Sequence, residues 1–388
     1  MPADFEDFAR AASRGRSDSV PAPTAISKVA VLGGGPDARL LAALSLAEGC
    51  DITLFSAYGH ELELMRASSG IALRGAGPIG SYQVDRGDAS IALTAELDTA
   101  VQSAEVIFLT GPIHKQRTYA MVLADHLADG QVLVLAPGRS LGAVEAAWML
   151  RLGGCSADVT LVEAQGLPYW YVAEGAALHL SQSAPMAAST LPRGRADVIE
   201  QLKPILPNLV STESVLASGF NDLSAAVEIP ALVMGGAGLA QGGVAVPMGG
   251  TPLAENQTFA ALIGDDQRRL IEKLADERRA VAQAFGVRGL PENDEWIATY
   301  AGADKGEGAR PVPDRDTARA MLRDGVIGSL VPLASAATLT DVEVPQTKAL
   351  MATVGAILDA DVAAAGRHLE TWASRPETLM TRAGRLTR

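Results

Sequence analysis

From Ile26 onward the chain alternates short unbroken apolar runs with segments of helical period. The runs are Val29–Leu32, Asp51–Phe55, Ala104–Thr110, Gly130–Ala136 and Val159–Glu163, and Asp37–Glu48 is the first helical segment between them. An unbroken run, unlike an alternating one, predicts a strand covered on both faces, as in a parallel sheet flanked by helices. Past about Ser211 long helical patterns take over. Over Asp265–Phe285 the apolar Leu270, Ile271, Leu274, Val281 and Phe285 fall near one face, and Gly286 stops the helix. Gly325–Leu339 and Val344–Leu358 predict two more helices. The pattern predicts an α/β domain with a parallel sheet over residues 26–211, then an all-α C-terminal domain over 212–375. A flexible arm at 1–25 and a basic tail at 376–388 flank them. The glycine-dense Gly235–Gly250 reads as a flap over a site or as a helix start with a plain loop.

The first strand–turn–helix unit carries chemistry. Lys28-Val-Ala-Val-Leu32 runs into Gly33, Gly34, Gly35, Pro36, Asp37 and Ala38, and Gly33, Gly35 and Ala38 fill the small-residue positions of the dinucleotide fingerprint. Gly33 permits the tight turn, Gly35 lets the backbone approach a pyrophosphate, and Ala38 lets the helix pack close to its strand. The helix N-terminus offers the phosphates free N–H groups and a positive dipole end. The first domain therefore reads as a dinucleotide-binding (Rossmann) domain, with cofactor contacts from Gly33 through Ala38. The second strand ends at Ser56, where NAD-preferring folds place an acid. A carboxylate there repels a 2′-phosphate and a serine can donate to one, so NADP(H) is expected over NAD(H), with His60 or Arg66 near the phosphate. Thr110-Gly111-Pro112 follows a core strand, and loops at carboxyl ends of strands face the cofactor. This turn is expected under the nicotinamide ribose, with His114 near the ring.

Bulk properties narrow the class. A chain of 388 residues suggests two domains, and a net charge of −13 argues against nucleic acid as a partner. Cys50 and Cys155 belong to no paired motif, the histidines are scattered, and no metal site is expected. Without a signal peptide or an apolar run long enough to span a bilayer, a cytoplasmic protein with no membrane partner is expected.

Two later blocks complete the picture. The first is Pro137-Gly138-Arg139-Ser140-Leu141-Gly142-Ala143-Val144-Glu145, followed by Glu163-Ala-Gln-Gly-Leu167-Pro168-Tyr169. The second is Arg319-Ala-Met-Leu-Arg-Asp324-Gly-Val-Ile-Gly328-Ser-Leu-Val331-Pro332-Leu333-Ala334, closed by a Val-Pro-Gln-Thr turn at Val344 and by Gly366-Arg-His-Leu-Glu370. With the fingerprint, these make the chain resemble the opine dehydrogenase (octopine/nopaline dehydrogenase) family from about Ile26 to Trp372. The resemblance implies a Rossmann domain and a helical domain with the site between them. It implies NAD(P)H-dependent reduction of an imine formed from an amino acid or amine and a 2-oxo acid, in a homodimer. It also implies that Arg319 clamps a substrate carboxylate and that Asp324 pairs with a catalytic histidine. Five residues of helix bring the two to neighbouring faces, so both could line one cleft.

Where the family carries that histidine, in the segment matching Asn221–Pro230, this chain has Glu228. Reduction of an iminium needs no proton donor at the nitrogen, and a fixed carboxylate beside the C=N bond would stabilise the cation. Glu228 and Asp324 are therefore expected to flank the nitrogen, with His114 as a substitute acid–base group. Leu167–Tyr171, the densest aromatic cluster, could wall the pocket or fill a core, and Glu163 could hold a substrate amine or cap a turn. Two other readings stay open: a carbonyl or 2-hydroxy acid dehydrogenase, and a non-catalytic NADP-binding relative that lost its histidine.

Overall fold

Burial on both faces of the strand β1 (Lys28–Leu32) sets the architecture. Val29 and Val31 point into one core and Ala30 and Leu32 into another, as the period of two requires. The computed structural model describes residues 25–68, 70–87, 89–235 and 258–384. The arm up to Thr24, the glycine-dense segment after Gly235 and the end of the basic tail lie outside the described residues.

The chain continues through α1 (Pro36–Ala47), β2 (Asp51–Phe55), α2 (Gly59–Ala67), β3 (Ile71–Gly75), β4 (Gly80–Tyr82), β5 (Ala92–Thr94), α3 (Leu97–Val101) and β6 (Val106–Leu109). Then come α4 (Ile113–Leu123), β7 (Val132–Leu135), α5 (Gly142–Leu152), β8 (Thr160–Ala164), β9 (Tyr169–Glu174), β10 (Ala177–Gln182), β11 (Met186–Leu191), α6 (Ala196–Leu202) and β12 (Leu209–Ser211). The main sheet has the order β12-β11-β8-β7-β6-β1-β2-β5. Its neighbours run parallel except β8 and β11, which pair antiparallel from Ala188 opposite Ala164 to Leu191 opposite Leu161. That pairing corrects the expectation of a wholly parallel sheet. The pattern also gave no sign of a second sheet, β4-β3-β10-β9, because its strands are short and half exposed. The aromatic cluster after Pro168 begins β9 of that sheet.

Regular elements described after β12 are helical: α7 (Val215–Asn221), α8 (Ser224–Gly235), α9 (Asp265–Ala284), α10 (Asn293–Ala301), α11 (Arg315–Gly325), α12 (Val331–Thr340), α13 (Pro345–Leu358) and α14 (Pro376–Gly384), with short 3₁₀ turns. Among the described residues no helix is long and apolar enough to cross a membrane. Leu333, Ala336, Val344, Leu369 and Trp372 share a core with α4 and α5, so the late helices pack on the helical layer of the main sheet. A separate core joins α8, α9 and α11 through Leu223, Ile229, Leu274 and Leu322.

The helix expected over Gly325–Leu339 runs without a gap but changes its winding: α11 passes at Gly325 into a π-helical turn over Val326–Leu330, which continues into α12 at Val331. Pro332 supplies the reason: it has no N–H for the carbonyl four residues back, and its ring crowds that carbonyl. The released Gly328 carbonyl accepts instead from Ser140 N–H (3.0 Å) and Arg367 Nη1 (3.2 Å). The π turn thus becomes a bridge to the loop after β7.

Candidate active site

Strand order reverses on either side of β1, which has β2 as one neighbour and β6 as the other. Ligands of open α/β sheets lie at the carboxyl ends of strands at such a point. The glycine turn after β1 fits a dinucleotide there. Gly33 has φ +135°, and a Cβ on it would lie 2.5 Å from Thr110 Oγ1. A Cβ on Gly35 would meet nothing within 4 Å, so the space a phosphate needs is open in front of it. Gly35 is the N-cap of α1 with no side chain over it, Pro36 opens the helix, and Ala38 is fully buried against the strand. The first-turn N–H groups have no partners within the helix and point at the same space.

At the end of β2 the premise for NADP(H) needs correction. The Ser56 hydroxyl does not face a ligand: it donates to Glu61 Oε2 at 2.5 Å and accepts from Tyr58 N–H at 3.1 Å. A carboxylate therefore does stand at this strand end, carried there by α2 rather than by the strand. The Glu61 side chain crosses directly over Gly34, where any Cβ would collide with it. Arg66 is turned away, paired with Asp85 (2.7 Å) and the Leu93 carbonyl (3.3 Å), and His60 is exposed beside the Tyr58 ring.

On the other side of β1, Thr110, Gly111 and Pro112 lead from β6 into α4. Thr110 Oγ1 donates to the Leu32 carbonyl at 3.0 Å and so ties the two strand ends together. Asp37, in the first turn of α1, reaches this loop: a Cβ on Gly111 would lie 3.1 Å from Asp37 Oδ2. Asp37 Oδ1 accepts from the Tyr171 hydroxyl at 2.5 Å. Burial pushes the Asp37 carboxyl above its ordinary range, Tyr171 works against that shift, and the Asp324 charge adds to it. His114 sits in the first turn of α4 with Nδ1 buried and unpartnered. Burial holds its pKa below the ordinary value, while Asp324 pulls the other way. Asp324 thus faces Asp37, His114 and Tyr171 together, from the last turn of α11.

Arg139 completes this group. It follows β7 in left-handed backbone (φ +56°), strained for a side chain of its size. Its Nη1 lies 3.6 Å from Glu228 Oε2, and its Nε has no partner. Burial works against its charge, but Glu228, Asp222 and Asp324 outweigh it and hold its pKa above the usual value. Glu228 is also gripped by Arg310, whose Nη2 donates to Oε1 at 2.7 Å. The Arg310 guanidinium lies over the Phe259 ring (4.2 Å) and the Trp170 ring (5.3 Å). A carboxylate gripped by Arg310 and lying beside Arg139 is held in place.

Arg319 does not share Asp324's surroundings. Its Nη1 points at the Ile357 carbonyl of α13, 3.5 Å away. Five residues turn an α-helix by about 140° beyond a full circle, so the two side chains leave α11 on different faces. Asp324 Oδ1 accepts from the adjacent Arg323 Nε at 3.2 Å, and the Arg139 guanidinium acts on both Asp324 and Asp37 from the loop after β7. Glu163 is likewise outside the cleft: fully buried, it accepts from Ala143 N–H (3.0 Å) and Ser218 Oγ (2.7 Å), capping the start of α5. The aromatic cluster divides. Tyr169 is buried and packs against Gly77, Trp170 stacks on Arg310, and Tyr171 reaches Asp37. Arg139, Arg310 and Glu61 were not among the expected site residues, and Tyr171 was expected only within an aromatic cluster that could wall a pocket or fill a core. Arg139 and Tyr171 each follow a core strand, which was their signal; Arg310 and Glu61 carry none in the sequence.

No family model matches the sequence. An opine dehydrogenase of Arthrobacter sp. (strain 1C) is 27% identical over 356 residues, 88% of this chain and 93% of that protein. Among solved structures, an octopine dehydrogenase with NADH and agmatine superposes with a TM-score of 0.63 at 17% identity, covering 93% of this chain and 98% of that one. An octopine dehydrogenase with NADH and L-arginine gives 0.62 at 16% identity, over 93% and 98% of the two chains. A PanE/ApbA family ketopantoate reductase from Ralstonia eutropha JMP134 gives 0.57 at 16% identity, over 86% and 98%. The structural likeness is one of fold: a Rossmann domain followed by a helical region.

Proposed function

From its similarity to an opine dehydrogenase over most of its length and the octopine dehydrogenase-like fold, we propose that the chain is a nicotinamide-dependent oxidoreductase acting on carbon–nitrogen bonds. It reduces the imine formed between an amino acid or amine and a 2-oxo acid, or runs the reverse reaction. The observation that carries this reading is the convergence of Asp37, His114, Arg139, Tyr171 and Asp324 beside the Thr110–Pro112 turn. The glycine turn from Gly33 to Ala38 would hold a reduced nicotinamide dinucleotide, which would supply the hydride for the imine carbon.

The side chains do the rest. Arg139 offers a planar fork to the carboxylate that every 2-oxo acid carries. Glu228, itself held by Arg310, keeps that fork in place; it is a positioning residue. Asp324 presents negative charge to the amine and to the iminium that replaces it. His114, neutral because its site is desolvated, accepts the proton an ammonium must lose before it can attack a carbonyl. Asp324 steadies the imidazolium so formed.

The test is coenzyme oxidation, followed by absorbance, over a panel of amino acids, amines and 2-oxo acids. Oxidation that requires both partners together is expected. Oxidation with an oxo acid alone would make the protein a carbonyl reductase instead. Arg139→Met should lower kcat/KM for the oxo acid by ~10–100-fold, the loss of a charged hydrogen-bonding pair. Arg319→Met should change it far less, and the reverse order would return the clamp to Arg319.

A further inference from the structure

We propose that Glu61 sets coenzyme choice: its carboxylate accepts from the adenosine ribose hydroxyls of NADH and repels the 2′-phosphate of NADPH. The inference rests on the oxidoreductase reading above and reverses the preference that Ser56 suggested. Three observations carry it.

The first is position. The Glu61 side chain lies across Gly34, between the glycine turn and the carboxyl end of β2. In a dinucleotide fold the adenosine ribose lies against the end of the second strand. The second is fixation. Ser56 is fully buried and donates to Glu61 Oε2 at 2.5 Å, so one carboxylate oxygen is anchored to the strand end. Oε1 remains to accept from a vicinal diol, which offers two donors and no charge. A 2′-phosphate offers acceptors and negative charge, and it would meet a carboxylate that Ser56 keeps from swinging away. The third concerns the groups that might have received a phosphate. The Ser56 hydroxyl already donates its hydrogen bond to Glu61, and Arg66 is engaged by Asp85 and the Leu93 carbonyl. The acid that strand β2 lacks is thus restored from α2, with a serine in the strand to hold it.

The experiment is equilibrium binding of NADH and of NADPH to the full-length protein, read by coenzyme fluorescence and independent of turnover. Wild type should bind NADH at least tenfold more tightly than NADPH. Glu61→Gln should shrink that ratio severalfold by admitting NADPH. Should Glu61→Gln fail to fold, Glu61→Asp serves: it keeps the charge but shortens the reach, so NADH should weaken while NADPH stays excluded. Equal binding of the two coenzymes by wild type overturns the assignment and leaves the oxidoreductase reading intact. So does a ratio that neither variant alters. If neither coenzyme binds, the oxidoreductase reading fails and this assignment fails with it.

Discussion

Glu163 has no exposed surface, and burial raises its carboxyl from an ordinary 4.5 to about 7, with Ala143 N–H and Ser218 Oγ opposing the rise. Below about pH 4.5 the folded and unfolded chains both hold this proton and nothing separates them. As pH climbs from there to about 7 the unfolded chain ionises first, so the fold loses stability. The loss is on the order of 3 kcal/mol and stays constant above that range. Glu163→Gln can still accept from Ala143 and can donate to Ser218, but it cannot ionise. The difference in denaturant midpoint between variant and wild type should therefore grow in the variant's favour across this interval. A difference that is flat with pH would remove Glu163 from the titration. In the cleft the same physics has the opposite use. Asp37 and His114 are perturbed where Asp324 and Tyr171 can meet a ligand, whereas Glu163 meets only backbone and serine.

At the scale of elements, the π-helical turn Val326–Leu330 presses the helical region against the loop after β7. Gly328 is its contact point. A Cβ there would come within 2.9 Å of Ile113 Cγ2 and 3.3 Å of Arg139 Cβ. Gly328→Ala should leave the fold standing but push Arg139 and the first turn of α4 aside. Small misplacements of a binding group cost rate steeply, so kcat/KM for the 2-oxo acid should fall by ~10-fold or more. Coenzyme affinity should change little, because Gly33–Ala38 are untouched. Equal losses in oxo-acid use and coenzyme binding would show that the turn supports the whole cleft and not Arg139 in particular. The apolar pattern reads this stretch as one helix because a π turn and an α turn bury the same residue types. Only the missing N–H of Pro332 hints at the change of winding.

Across the whole molecule, Arg367 joins the C-terminal helices to the nucleotide-binding sheet. It is fully buried, and its Nε donates to Glu145 at 2.8 Å. Nη1 donates to the carbonyls of Gly138 (2.8 Å) and Ser140 (2.9 Å), and Nη2 to Gln116 (2.9 Å). One side chain so fixes the loop that carries Arg139, the helix that follows it, and α4. Arg367→Met should lower unfolding stability by about 3–5 kcal/mol, because it strands buried acceptors and leaves Glu145 to Arg117 alone. Chemical denaturation checks this; a loss below about 1 kcal/mol would mean the site relaxes or hydrates. A second buried arginine, Arg278 of α9, makes a similar tie to Ser140, Gly219 and Ser329.

Several features were legible in the sequence by itself: the glycine turn and its helix, the core strands, the long helices of the second half and the position of Thr110–Pro112 at the end of a core strand. Each is local, set by apolar period, a small residue or a turn within a few positions of chain. What the tertiary structure decided is which charges meet. Glu61 reaches the end of β2 from a neighbouring helix, Arg139 in the first half of the chain meets Glu228 and Asp324 from the second, and Arg319 turns from them on its helix. Charged side chains are long, and their partners are chosen by how elements pack, a relation that no local pattern of apolar and polar positions records.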